Sequence, residues 1–124
     1  LILLMVFTIT VNASDKFEIS PMFIALKTHM NYLDIEDDVA TCTGSARCLN
    51  SHSVQLTLYL ESNTGDNWTT VRKWNGDKDI YSYVNKTVNV SSDTKYRVKS
   101  IATVYDENNE IVESPVLYSD VVSN

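Results

Sequence analysis

The sequence predicts an all-β fold, an immunoglobulin-like or fibronectin type III-like Greek-key β-sandwich of about seven strands. Three observations carry that expectation. Tyr96 follows Val90 by six residues across the polar turn Ser91-Ser92-Asp93-Thr94, the spacing at which such sandwiches pin a corner. Val54 to Glu61 alternates strictly, with Val54, Leu56, Leu58 and Leu60 on one side and Gln55, Thr57, Tyr59 and Glu61 on the other. Between these landmarks, short β-prone runs are separated by turn residues, and no window of a dozen residues keeps a helical period.

The elements follow in order. Leu1 to Thr10, LILLMVFTIT, is an apolar run ahead of Val11-Asn12-Ala13, a small-residue cleavage pattern. It reads as a signal peptide over 1–13 whose basic leading region is missing, with a buried first strand as the alternative. Ten residues fall short of the roughly 20 needed to span a bilayer. Residues 14–124 then form one sandwich domain, with Ser20-Pro21 as a start signal. Strands are expected at roughly 22–35, 39–43, 54–61, 68–74, 81–90, 96–105 and 111–122. Glu36-Asp37-Asp38 is an acidic turn, and 44–53 reads as polar and irregular. Asn63 to Asn67 and Asn75-Gly76-Asp77 bracket a strand with no purely apolar face, which suggests a sheet edge. Pro115 marks a bulge or an edge position in the last strand. The predicted core contains Leu56, Leu58, Val84, Val88, Val98, Ala102 and Val104.

Tyr96 is read as a structural residue. Its ring packs beneath the turn and its hydroxyl bonds backbone near Val90, which gives a buried donor a partner. Trp68 and Trp74 share a parity on a short strand, and Trp74 is the better core candidate. Trp68 beside the flexible turn, with Tyr59 and Tyr105 opposite the core parity, makes a weak candidate binding surface for stacking on a sugar or peptide. Cross-strand pairing for stability is the alternative role for these rings.

Cys42 and Cys48 are expected to pair in an exported chain. Six extended residues span about 20 Å, so a disulfide requires a turn at Gly44-Ser45. The alternative is a buried Cys42 with Cys48 free. The spacing fits no zinc pattern, so no metal site is expected there. His29 and His52 belong to no catalytic motif, and three glycines form no phosphate loop. The acidic turns at 36–38 and at Asp77 with Asp79 suit backbone bonding and solvation, with weak calcium binding as a lesser reading. No catalytic residues and no cofactor are expected.

The net charge is −6, from 10 Lys and Arg against 16 Asp and Glu. That balance argues against nucleic acid, which needs clustered cations, and against an anionic membrane surface. Lys95, Arg97 and Lys99 form a stripe that reads as a solvated face. Three sequons in the expected mature chain, at Asn67, Asn85 and Asn89, matter only in a host that glycosylates exported proteins.

The segments VATCTGSAR, VQLTLYLESNTGDNWTTVRKW, YVNKTVNVSSDTKYRVKSIATVYDENNEIVES and YSDVV carry a resemblance across roughly residues 20–122. On these the chain resembles a family of small uncharacterised exported proteins of Gram-positive bacteria, clostridia and relatives. The resemblance implies a signal peptide followed by one sandwich domain, and no activity. Cys48 and the acidic turn at 36–38 depart from the family's commoner pattern. The expected function is a non-enzymatic exported module, secreted or at the cell surface, for interaction or adhesion. The expected partners are a surface protein or a glycan, without membrane insertion of the mature chain. A carbohydrate-binding module is the first alternative, and a small secreted hydrolase or inhibitor the second.

Overall fold

The computed structural model describes residues 24–124. The signal-peptide expectation at 1–13 and the start signal at Ser20-Pro21 lie outside the described residues. Among the described residues nine strands run in chain order: β1 (Leu26–Glu36), β2 (Val39–Cys48), β3 (Ser53–Asn63), β4 (Trp68–Asn75), β5 (Tyr81–Asn89), β6 (Lys95–Tyr105), β7 (Ile111–Glu113), β8 (Val116–Tyr118) and β9 (Val122–Ser123). They form two antiparallel sheets. The smaller has the order β1-β2-β5, and the larger β4-β3-β6-β7, with β8 and β9 also pairing β6. No helix occurs among the described residues, so none is long and apolar enough to cross a membrane.

Alternation sends one side of each long strand into a shared core. Val54, Leu56, Leu58 and Leu60 of β3 and Tyr96, Val98, Ala102 and Val104 of β6 are buried there with Val84 of β5. Val88 packs against that core from a half-buried position. The opposite sheet meets the β3 leucines with small residues. Ala40, Cys42, Gly44, Ala46 and Cys48 share the inner side of β2, and all are buried. A Cβ on Gly44 would sit 2.8 Å from both Leu56 Cδ2 and Leu58 Cδ1, so the leucine tips occupy the space a side chain would need. The segment read as irregular at 44–48 is therefore strand, its glycine selected by close packing rather than by a turn.

That continuity overturns the expected disulfide. Cys42 and Cys48 are both free and buried. β2 stays extended through Gly44 and Ser45, paired to Asn31 and Met30 on one side and to Val84 and Tyr83 on the other. Six residues of extended chain separate the sulfurs far beyond bridging distance. Cys48 Sγ instead lies 3.7 Å from the Ile80 carbonyl oxygen. Burial pushes the Cys42 thiol up to about 12. Burial raises Cys48 as well, assisted by the Asp79 carboxylate and opposed by a backbone hydrogen bond.

Local details account for the other departures. Asp37 and Asp38 both have positive φ, 54° and 63°, in a two-residue hairpin loop, the backbone of a type I′ turn. In β4 the pairing slips between Leu60 and Glu61 of its partner, leaving Val71 as the extra residue of a bulge. The slip breaks the shared parity of the tryptophans. Trp74 pairs with Leu58 and packs against the core, while Trp68 pairs with Asn63 on the outer side. The last expected strand is three short pieces: Pro115 falls between β7 and β8, its carbonyl still accepting from Ala102 N–H at 3.1 Å, and residues 119–121 separate β8 from β9.

Two polar devices tie the sheets together. The Glu113 carboxylate accepts the backbone N–H groups of Ile24, Ala25 and Leu26 at 2.5, 3.0 and 2.9 Å. Across the interior, His29 Nε2 lies 2.8 Å from the Ser100 hydroxyl, which also accepts from Asn31 Nδ2 at 2.9 Å. Asn31 donates as well to the Leu117 carbonyl at 3.0 Å. Burial pushes His29 down to about 4, so the ring is neutral at pH 7.

Candidate functional site

The corner residue sits at the junction of the sheets. Tyr96 is 3% exposed. Its hydroxyl accepts the Ser91 N–H at 2.8 Å and faces the Ser91 carbonyl at 3.5 Å. The contact is one residue beyond Val90, and it holds the turn between β5 and β6 onto the second of them.

Tyr59, Trp68 and Tyr105 all point outward from the larger sheet and are half-buried. Each carries a cation on its ring. Tyr59 lies between Lys99 and Lys73, whose Nζ atoms are 4.5 and 5.7 Å from its centroid. Arg97 lies 4.2 Å from the centroids of both Trp68 and Tyr118. Lys78 Nζ is 3.6 Å from the Tyr105 centroid. Glu61, only 6% exposed, anchors the array by accepting Arg97 Nε at 2.7 Å, with Lys99 Nζ at 3.6 Å. Of the stripe expected to be solvated, Arg97 and Lys99 are thus woven into the rings beside them, while Lys95 is exposed. Cation and ring satisfy one another here, so the surface behaves as a cross-strand lattice.

The outer face of the smaller sheet is built differently. Register places Thr28, Arg47 and Tyr81 in one row, Met30, Ser45 and Tyr83 in the next, and Tyr32, Thr43 and Asn85 in the third. In the second and third rows the central strand carries the short Ser45 and Thr43 between larger flanking side chains, and in the first it carries Arg47. Met30 is 62% exposed, Tyr32 60%, Tyr83 50% and Tyr81 42%. The Tyr81 and Tyr83 rings are near parallel at 16°, their centroids 6.3 Å apart, and Arg47 lies 4.8 Å from the Tyr81 centroid. Asn85 Nδ2 donates to the Tyr83 hydroxyl at 3.1 Å.

Beside these residues, at the outer edge of β5, lies an open cleft of about 280 Å³. Asn75, the last residue of β4, and Gly76 and Asp77 of the β4–β5 connection line it together with Tyr83, Val84, Asn85 and Lys86. Thr57 Oγ1 donates to Asn75 Oδ1 at 2.9 Å, which fixes that amide.

The two histidines are far from this region in role. His29 is part of the interior network, and His52 contacts Ser51 and the Asn50 carbonyl in the β2–β3 loop. Among the described residues, no three His, Cys, Asp or Glu side chains converge as a metal site. No protein-family model and no curated protein matches this chain.

Sequence reasoning placed its candidate rings on the larger sheet and passed over Tyr32, Tyr81 and Tyr83. The available signal was parity. Val84 and Val88 mark the inner side of β5, so Tyr81, Tyr83 and Asn85 must point out.

Proposed function

We propose that this chain is an extracellular, non-enzymatic interaction module of the immunoglobulin and fibronectin type III kind, with the outer face of the smaller sheet as its binding surface. One observation carries the reading: that face leaves Met30, Tyr32, Tyr81 and Tyr83 of β1 and β5 broadly exposed beside Ser45 and Thr43 of β2, with Arg47 over the Tyr81 ring, whereas Tyr59, Trp68 and Tyr105 of the larger sheet are half-buried and each carries a cation. A flat lattice with protruding aromatics and few charges is the composition of a recognition surface.

The Greek-key assignment is supported by the strand order. A three-stranded sheet of the first, second and fifth strands faces one of the fourth, third, sixth and seventh. The Tyr96 contact to Ser91 occupies the corner at which such folds carry a tyrosine. The resemblance to exported Gram-positive proteins supports an extracellular or surface location. A partner on or near the cell surface follows from that location, and the acidic charge disfavours nucleic acid.

The test is binding of the fluorescently labelled domain to intact cells and to isolated surface material. Saturable binding that is lost in the Tyr32→Asp/Tyr83→Asp double variant, with unfolding midpoints unchanged, is the expected result. Binding that survives this substitution, or is lost instead on altering the Tyr59 face, would refute the assignment of the surface.

A further inference from the structure

We propose that the cleft at the outer edge of β5 is a saccharide subsite, taking one pyranose ring of a neutral oligosaccharide whose neighbouring units run over Tyr83 and Tyr81. The inference rests on the interaction-module reading and names the chemistry of its partner. It also moves sugar recognition away from Tyr59, Trp68 and Tyr105 to the opposite sheet.

The chemistry of the lining selects the ligand. A pyranose presents hydroxyls that both donate and accept around its rim, and a C–H face that packs on aromatic carbon. The cleft supplies the matching set. Asp77 accepts, Lys86 donates, and the Asn85 amide does both. Tyr83 adds a half-exposed ring at the border of the cleft. Asn85 is already oriented by its bond to the Tyr83 hydroxyl, so that polar group is held before a ligand arrives.

Size and charge narrow the class further. At about 280 Å³ the space lies at the small end of ligand pockets, suited to one sugar unit rather than a folded partner. Asp77 and Lys86 cancel within the cleft, while the chain as a whole carries −6. A neutral ligand is therefore favoured over an anionic one such as a phosphate or a uronic acid polymer. The near-parallel pair Tyr81 and Tyr83, with Arg47 on the Tyr81 ring, extends aromatic and donor surface along β5 beyond the cleft for successive units of a chain.

Titration of the isotope-labelled protein with cellohexaose, xylohexaose, mannohexaose and N-acetylchitohexaose tests this by NMR. Saturable shifts confined to residues 75–77 and 81–86 are expected with at least one of the four. Tyr83→Ala should weaken that binding roughly tenfold, and Asn85→Ala should weaken it as well, both with unchanged urea midpoints. Asp66→Asn, in the β3–β4 turn at the far end of β4 from Asn75, should bind as the parent does. The proposal is overturned if all four sugars fail to shift the spectrum, if the shifts map elsewhere, or if Tyr83→Ala binds normally. A surface protein whose footprint covers Tyr32 and Tyr83, with every sugar inert, would overturn the saccharide subsite and leave the interaction module standing. Failure of both sugars and surface material would remove both.

Discussion

Removing one oxygen atom from Tyr96 tests the corner that organises the fold. In Tyr96→Phe the ring keeps its place among the core side chains, since the phenyl group fills the same volume. The lost hydroxyl leaves the Ser91 N–H without its 2.8 Å acceptor. A net hydrogen bond contributes about 1 kcal/mol, and a fully buried orphaned donor costs about 1–3 kcal/mol. Ser91 itself is exposed, so water reaches the freed N–H in part. The second contact, 3.5 Å to the Ser91 carbonyl, is too long to add much. The expected destabilisation is therefore about 1–2 kcal/mol. For a domain of this size that corresponds to a drop in Tm of roughly 5–15 °C. Urea unfolding followed by the fluorescence of Trp68 and Trp74 gives the free-energy difference directly. Tyr32→Phe is the control, because its side chain is 60% exposed and its hydroxyl stays in water. Equal midpoints for Tyr96→Phe and the parent, with equal slopes, would show that the hydroxyl does not hold the corner.

Three further outcomes follow from the interior. His29 titrates near 4 in the native state against 6.5 in the unfolded chain, so the unfolded state binds the extra proton. Its contribution is complete above about pH 6.5 and is lost as pH falls toward 4, by about 3 kcal/mol; a free-energy difference between parent and His29→Gln that stays flat from pH 7 to 4 would contradict this. Cys42 and Cys48 are 0% and 1% exposed, so a thiol reagent should label neither in native buffer and both in guanidinium, on a chain of fully reduced mass. Rapid native labelling would show that β2 opens. Glu113→Ala removes the acceptor of three backbone N–H groups and should cost about 2–3 kcal/mol, with amide exchange at residues 24–26 accelerating far more than in β3; uniform exchange would refute the clamp.

What could be read from the chain was whatever depends on one strand at a time. Leu56 and Leu58 announce their buried side by alternation alone, and Tyr96 announces its corner by its distance from Val90. What could not be read depends on a neighbour. Gly44 looks like a turn until Leu56 and Leu58 are placed against it, and with that mistake Cys48 falls in a loop where pairing with Cys42 looks feasible. Trp68 and Trp74 share a parity only in a regular strand, and the bulge at Val71 is a property of the pairing with β3. Tyr59 looks like a free platform until β4 and β6 bring Lys73 and Lys99 to its ring. The cleft is the extreme case, since Asn75 and Asp77 meet Tyr83 and Asn85 only where a connection folds back along a sheet edge.

The Glu113 clamp also fixes how the domain would carry a pull. It holds residues 24–26 beside the Val104–Tyr105 end of β6, where β7 pairs. Asn124 is held at the other end, by backbone bonds to Asp93 and Thr94 and by its amide on Asp38. The eleven residues of β6 separate these two points by about 35 Å. β1 runs from the first pole to the second and β9 points toward the second, so tension between residues 24 and 124 draws each strand along its own axis. The ladder bonds to β2 and β6 lie across that direction, and they take the load together in shear instead of opening one by one like a zipper. A domain strung in this way resists stretching most strongly along the line joining its two ends, and single-molecule extension of Glu113→Ala would show the first yield moving to lower force.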